Sequence, residues 1–195
     1  MTKAKIGRPR SEEARESILK AARDLLRETR GAGLSIEAIA KRAGVGKPTI
    51  YRWWPSLADI VLEALLCQAG TDLPVPVFTS LRETLAQFLR RSLRVIREGA
   101  GEHLRFLMAQ AQKDEAFRER FRDNFVAKRR AALGSIFQAA RENGRMAREG
   151  NVELLVDMVF GAMWYRLLTG HGNMDDDFAD GLAGVVAELV PGDAV

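Results

Sequence analysis

The chain has 195 residues, of which 47% are hydrophobic and 29% charged, a balance typical of soluble globular proteins. The single cysteine, Cys67, excludes an internal disulfide framework, and no hydrophobic run approaches the roughly 18 residues of a membrane span. The net charge of +4 is uneven, because residues 1–60 hold 13 basic and 7 acidic side chains, whereas the other 135 residues hold 17 and 19. This asymmetry is expected if only the first part of the chain meets a polyphosphate.

In chain order, the first predicted element is a basic arm, residues 1–10, whose low hydrophobic content favours disorder. A helix with hydrophobic residues at helical spacing follows. Ser35 can cap a second short helix, which is predicted to end near Gly44. A third helix is predicted after it, because Pro48 suits a first helical turn and Pro55 cannot continue the helix.

From residue 56 onward, hydrophobic side chains recur at helical spacing, interrupted by a Pro-rich break at residues 71–77. Helices are predicted over about 56–69, from Leu81 to Gly99, over 101–112, 114–143 and 151–169, and after a cap at Asp175 to Asp177. Runs of Val, Ile and Thr that would indicate strands are almost absent. We therefore predict an all-α fold of about nine helices.

Residues 35–54, SIEAIAKRAGVGKPTIYRWW, have the layout of a helix-turn-helix that places its second helix in the major groove of DNA. Gly44 permits the left-handed backbone of a tight turn, and Val45 and Ile50 are predicted to point into a small core. Outward positions remain for Lys47, Thr49, Tyr51, Arg52 and Trp53. Hydroxyls and cations suit phosphates, a cation suits guanine edges, and an apolar surface suits thymine methyls.

The segment LSIEAIAKRAGVGKPTIYRWWPS resembles the DNA-binding signature of the tetracycline-repressor (TetR) family of bacterial transcription regulators. The preceding ESILKAARDLLRE is similar to the first helix of that family in its hydrophobic spacing. The resemblance implies three helices for DNA, a fourth leading to a ligand-binding body, and a two-fold dimer on a palindromic operator. We therefore predict a disordered arm at 1–10, a helix-turn-helix DNA-binding domain at 11–55, a linking helix and loop at 56–77, and a ligand-binding and dimerisation domain at 78–195.

Carried onto this chain, the family pattern implies DNA contacts by the recognition-helix residues Lys47, Pro48, Thr49 and Tyr51. Tyr51 would meet a phosphate, Lys47 and Arg52 could read bases, and Ser35 would contact a phosphate through its N–H and hydroxyl. Trp54 occupies an aromatic position that usually packs inward in the family, so we expect it in the core. Two other positions depart from the pattern. Trp53 stands where a polar or basic residue is common and could stack on a sugar or meet a methyl group, and Leu57 stands where many members keep a phosphate-binding lysine.

The basic arm carries Gly-Arg-Pro-Arg at residues 7–10, directly before the first helix. Arg8 or Arg10 could enter a narrow A·T-rich minor groove, where the negative potential is strongest. The alternative is a solvated tail.

Aromatic and methionine side chains of the body form the candidate effector pocket, because the family resemblance implies a cavity enclosed by these helices. They are Phe88, Phe106, Met108, Phe121, Phe125, Met163 and Trp164. Such a pocket would favour a hydrophobic or aromatic effector, with Arg166 or His103 as a polar anchor. The alternative is that these residues are plain core.

The last two helices form the candidate dimer interface, because residues 152–168 are apolar on more than one face and small residues follow in the last helix. The candidate residues are Val156, Phe160, Leu167, Phe178, Leu182, Val185 and Val186. Two helices from each subunit would form a four-helix interface. A monomer with a thick core is the alternative.

We therefore predict a dimeric bacterial transcription regulator, cytoplasmic and associated with the nucleoid, most simply a repressor that a small effector releases from double-stranded DNA. No catalytic pairing of Ser, Cys, His and Asp is visible, so we expect neither an enzyme nor a metal or cofactor site. One alternative is a helical carrier or enzyme that uses the helix-turn-helix only for packing. Another is a protein that binds DNA without sequence preference.

Overall fold

A computed structural model describes residues 12–29, 33–67, 74–146 and 151–190. Within these ranges the regular elements are all helical, which confirms the predicted all-α fold and its approximate number of helices. The chain divides into two compact units, Met1–Cys67 and Gln68–Val195. The predicted basic arm, with Arg8 and Arg10, lies outside the described residues.

The first unit consists of four helices around one small core. They are α1 (Glu12–Thr29), α2 (Ile36–Ala43), α3 (Lys47–Tyr51) and α4 (Leu57–Leu66). Each helix contributes one fully buried isoleucine, and these are Ile18, Ile39, Ile50 and Ile60. Burying a side chain of this size stabilises the fold by about 1.5–3 kcal/mol, so every helix of the unit is tied to the same centre.

Local residue choices set the ends of these helices as the sequence predicted. The Ser35 hydroxyl caps α2 by accepting the backbone N–H of Ala38 at 3.1 Å. Gly44 ends the same helix with a φ of 68°, a left-handed conformation that suits glycine. Pro48 lies in the first turn of α3, where its missing N–H costs nothing. The turn between α2 and α3 is therefore determined by a few neighbouring residues.

The second unit contains the longer helices. They are α5 (Leu81–Val95), a kink at Ile96–Ala100 where Gly99 has a φ of 129°, α6 (Gly101–Ala111), α7 (Glu115–Phe121), a π-helical turn (Arg122–Val126), α8 (Ala127–Glu142), α9 (Val152–Thr169) and α10 (Asp176–Glu188). The π-helical turn joins α7 to α8 without a break, so the long helix predicted over 114–143 is present with one widened turn.

The core of the second unit lies between α5, α8, α9 and α10, where Phe88, Phe137 and Val159 are almost completely buried. Ala179 and Ala183 of α10 have no exposed surface, and a Cβ added at Gly184 would meet the guanidinium of Arg82 of α5. The small residues that the sequence suggested for close helix approach thus serve mainly to pack α10 on α5 inside one subunit.

Candidate nucleic-acid interface

The exposed face of α3 carries most of the residues predicted to contact DNA. Lys47, Pro48, Tyr51 and Arg52 are exposed, and 56% of the Tyr51 surface is accessible. Ile50 is on the opposite side of the helix and is fully buried, and Thr49 is half-buried between the two faces. The buried isoleucine anchors α3, so this helix and its C-cap residue Arg52 together present two cations and a phenol outward.

Lys47 is held by an acidic residue of α2. Its ammonium donates to the carboxylate of Glu37, in the first turn of that helix. This hydrogen bond raises the pKa of Lys47 and lowers the pKa of Glu37, which the Glu37 backbone N–H and the Ser35 hydroxyl also lower. Ser35, Glu37 and Lys47 therefore lie together near the start of α2 and the start of α3. The sequence predicted two of them, Ser35 and Lys47, as DNA contacts.

A second carboxylate fixes the carboxyl end of α3. The indole Nε1 of Trp54 donates to Glu63 of α4 at 2.6 Å, and the other carboxylate oxygen of Glu63 accepts from Arg15 of α1. Trp54 is only 3% exposed, as the sequence predicted for this aromatic position. The Trp54–Glu63–Arg15 network therefore joins the segment at the carboxyl end of α3 to both α1 and α4.

Two residues at the edge of this unit pack inward. Trp53 is half-buried against the core, with the Arg15 guanidinium 5.7 Å from its ring centre and the Trp54 ring 6.0 Å away. The outward position expected for Trp53 is thus only partly realised, and the side chain offers one edge to solvent. Leu57 also packs against the core, in agreement with its apolar character.

In the second unit the candidate pocket residues divide by burial. Phe88, Phe121, Phe125 and Met163 belong to the buried set. Phe106, Met108 and Trp164 are half-buried. Phe117, Phe121 and Phe125 form a stack, with successive ring centres 6.2 and 5.5 Å apart and nearly parallel planes. The π turn at Arg122–Val126 widens the helix at this stack.

The two residues suggested as polar anchors already have structural partners. Arg166 lies over the ring of Phe178 at 3.8 Å and donates to the carbonyl of Asn173 at 2.6 Å. The Nδ1 of His103, a buried residue, is 3.1 Å from the carbonyl of Gly99. Arg166 therefore secures the connection between α9 and α10, and His103 secures the start of α6.

The candidate dimer residues also divide by burial. Val156, Leu167 and Val186 are at most 4% exposed within a single subunit, so in this conformation they have almost no surface to offer a partner. Phe160, Phe178 and Leu182 are half-buried, and Val185 is exposed. Helix periodicity placed these residues on apolar faces but did not distinguish the face that packs inside the subunit from the face left open.

The open apolar face of α9 and α10 consists of other residues. Those of α9 are Leu154, Met158, Tyr165 and Leu168, at steps of three, four or seven residues, which keeps them on one side of the helix. Val185 of α10 and Leu189, which follows the last residue of that helix, are also apolar and exposed. We call these six residues the α9–α10 face. Exposed apolar residues that line one side of a helix are typical of interaction surfaces.

Sequence reasoning missed Glu37 and Glu63, the two acidic residues that hold α3. Glu37 is ten residues before Lys47, and Glu63 is nine residues after Trp54. No local spacing rule joins residues so far apart across a turn, and only the placement of Glu37 in the first turn of α2 offered a signal.

In the part of the chain that the structure describes, none of the helices is long and apolar enough to cross a membrane. No group of three or more His, Cys, Asp or Glu side chains in the described ranges could hold a metal ion.

Two protein-family descriptions match this chain. "Bacterial regulatory proteins, tetR family" matches residues 18–64, which contain α2, α3 and most of α1 and α4. "Tetracyclin repressor-like, C-terminal domain" matches residues 76–186, which is more than half of the chain.

Similar proteins agree with these matches. The uncharacterised HTH-type transcriptional regulator YdeS of Bacillus subtilis is 30% identical to this chain, and the match covers 90% of this chain and 88% of the length of YdeS. The crystal structure of the TetR family transcription regulator SCO0332 is 32% identical, with a TM-score of 0.72 over 91% of this chain and 98% of that one. The fold is also that of the Bacillus subtilis regulator FadR, solved with stearoyl-CoA, at 16% identity and a TM-score of 0.69 over 88% and 97% of the two chains.

Proposed function

The chain belongs to the TetR family of bacterial transcription regulators, and we propose that it is a homodimeric repressor released from a palindromic operator by a small hydrophobic effector. The exposed face of α3 is the observation that carries this proposal, because a helix with Lys47, Tyr51 and Arg52 outward and Ile50 inward suits a major groove. Acting on DNA, the protein would work in the cytoplasm at the nucleoid.

The contacts that we propose follow from side-chain chemistry. Tyr51 would donate its hydroxyl to a phosphate, and Ser35 would meet another at the start of α2, where backbone N–H groups favour anions. Lys47 and Arg52 would read base edges, since their donors match the acceptors of guanine. Pro48 and Thr49 would line the groove. Arg8 or Arg10 would reach the adjacent minor groove.

The α9–α10 face supports the proposed dimer. Its exposed leucine, methionine, tyrosine and valine side chains would be removed from water by the same face of a second copy. Phe160, Phe178 and Leu182 are half-buried and, as residues predicted for the interface, would lose further surface in the contact. In such a dimer two recognition helices about 34–36 Å apart would enter successive major grooves.

The stacked phenylalanines of the second unit support a hydrophobic or aromatic effector. Phe121 and Phe125 lie at the π turn, and widened turns of this kind are frequent at functional sites. Phe88, Phe106, Met108, Met163 and Trp164 would supply the rest of the wall. Effector binding would shift α4 and with it the spacing of the recognition helices, which requires a coupling free energy of about 1–3 kcal/mol.

An in vitro selection tests the proposal. The full chain is incubated with a randomised DNA duplex, the bound fraction is amplified, and affinity for the selected sequence is compared with affinity for random duplex. We expect a palindromic sequence that binds at least about 1,000-fold tighter than random DNA at physiological salt. Equal affinity for all duplexes would support the alternative of binding without sequence preference, and no binding would overturn a DNA-binding function.

A further inference from the structure

The proposed DNA-binding face contains one residue whose charge opposes DNA binding. Glu37 is exposed in the first turn of α2, and its carboxylate contacts Lys47, the first residue of α3. The Glu37 and Lys47 side chains are 63% and 50% exposed, so the pair faces solvent. Tyr51 follows Lys47 by four residues and therefore lies on the same side of α3.

The Lys47–Glu37 pair has no net charge, although each of the two side chains stays ionised. The hydrogen bond between them raises the pKa of Lys47 and lowers the pKa of Glu37, so both are ionised at neutral pH. An ammonium has three N–H donors, and one of them is used by Glu37. Two donors of Lys47 remain for another acceptor while the carboxylate holds the side chain in place.

Phosphates and base edges respond differently to such a pair. Phosphates attract cations in any sequence, and every neutralised phosphate adds to an affinity that falls with salt. A carboxylate beside Lys47 opposes this sequence-independent term by repulsion. The major-groove edge of a G·C pair instead places the guanine acceptors O6 and N7 beside the cytosine N4 donor. A Lys–Glu pair offers a donor beside an acceptor and complements that edge.

We propose that Glu37 is a specificity-determining residue that withholds Lys47 from the phosphates of unrelated DNA and, together with Lys47, favours a G·C pair in each operator half-site. This inference rests on the proposed function, since it assumes that α3 enters a major groove. Glu37 and Lys47 would thus contact the same base pair, with Glu37 as the acceptor and Lys47 as the donor.

The test compares Glu37→Gln with the unaltered chain on the selected operator and on random duplex at several salt concentrations. Removing the carboxylate charge should tighten binding to random duplex several-fold. If each subunit then places Lys47 on one more phosphate, the slope of log affinity against log salt should steepen by about 0.9 per subunit. The operator should gain less, so the ratio of operator to random affinity should fall at least about threefold. Repeating the selection with Glu37→Gln should weaken the preference for G·C at one position of each half-site.

A matched control separates this effect from a general change of charge. Glu28→Gln removes one carboxylate from the same unit, and that carboxylate is also paired with a cation, Arg42, but at the other end of α2. We expect Glu28→Gln to leave the ratio of operator to random affinity unchanged. Lys47→Met added to Glu37→Gln should abolish the gain on random duplex, because the released ammonium is then absent.

Three results would overturn the inference. The first is an equal gain for operator and random duplex in Glu37→Gln, the second is no change in either, and the third is the same loss of discrimination in Glu28→Gln. If the unaltered chain prefers the operator to random duplex and Glu37→Gln keeps the same preference, the inference about Glu37 is overturned but the proposed function is not. Absence of discrimination by the unaltered chain would overturn the proposed sequence-specific function as well.

Discussion

The indole of Trp54 donates a 2.6 Å hydrogen bond to Glu63, and this bond ties the segment that follows α3 to α4. Since Trp54 is buried and Glu63 is charged, the bond belongs to the stronger class of hydrogen bonds. α4 ends at Leu66, just before the second unit begins at Gln68. Glu63 is therefore placed to pass a displacement of α4 to the end of α3.

Trp54→Phe should destabilise the protein by about 1–3 kcal/mol, because the carboxylate of Glu63 loses a buried donor. Glu63→Gln retains an acceptor for the indole and loses only the partly exposed ion pair with Arg15, so its cost should be about 1 kcal/mol or less. Urea unfolding at one fixed protein concentration measures both. A larger loss in Glu63→Gln would show that the ion pair, and not the indole bond, holds α3.

Tyr51→Ala and Arg52→Ala should affect DNA binding in different ways. A phosphate contact by Tyr51 carries no sequence information, so its loss should weaken binding to all duplexes alike. A base contact by Arg52 should instead relax the preference at one base pair, by about 1–3 kcal/mol. Fluorescence anisotropy with the selected operator and its single-base variants measures both effects. Identical behaviour of the two variants would contradict the assigned roles.

Leu168→Glu should dissociate the proposed dimer, because it places a charge within an apolar contact. Val77→Glu is the matched control, since Val77 is 87% exposed and lies before α5, outside the α9–α10 face. Analytical ultracentrifugation should find a monomer for Leu168→Glu and a dimer for Val77→Glu. A dimer of unchanged stability in Leu168→Glu would exclude this face as the interface.

Gly44→Ala and Gly134→Ala should change stability in opposite directions. At Gly44 the φ of 68° strains any residue with a Cβ, so alanine should cost about 1–2 kcal/mol. Gly134 has helical geometry within α8, and an added Cβ would meet only Val152, at an ordinary 4.0 Å, so alanine should stabilise by about 0.5–1 kcal/mol. Thermal unfolding measures both, and a neutral Gly44→Ala would contradict the need for glycine at the turn.

The ion pair between Glu28 and Arg42 should make stability depend on pH. Arg42 donates to both carboxylate oxygens, at 3.0 and 2.8 Å, and this holds the pKa of Glu28 below its ordinary value. The stabilisation is present above the unfolded carboxyl pKa of about 4.3 and is lost as the pH falls through the lower folded pKa. Urea midpoints of Glu28→Gln should lie below those of the unaltered chain at pH 7 and converge with them in acid. A gap that widens in acid would contradict this assignment.

Features that depend on neighbouring residues could be predicted from the sequence. The Ser35 cap, the left-handed Gly44 and the inward-facing Ile50 each follow from chemistry within about five residues. The fold class followed in the same way from helical periodicity, and the resemblance of residues 34–56 to the TetR signature added the arrangement of the helix-turn-helix. In this region the structure differs from expectation mainly at Trp53, which packs partly inward.

By itself, the sequence determined the all-helical fold, the outward side of α3 and the family, because capping, periodicity and a contiguous motif are properties of short segments. Only the tertiary structure decided which carboxylates hold α3 and which apolar face of α9 remains open. Glu37 meets Lys47 and Glu63 meets Trp54 across turns. Val156 is enclosed by its own subunit, whereas Tyr165 on the same helix stays in water. Such pairings depend on how whole helices pack in space, and periodicity along one helix carries no information about the neighbour it meets.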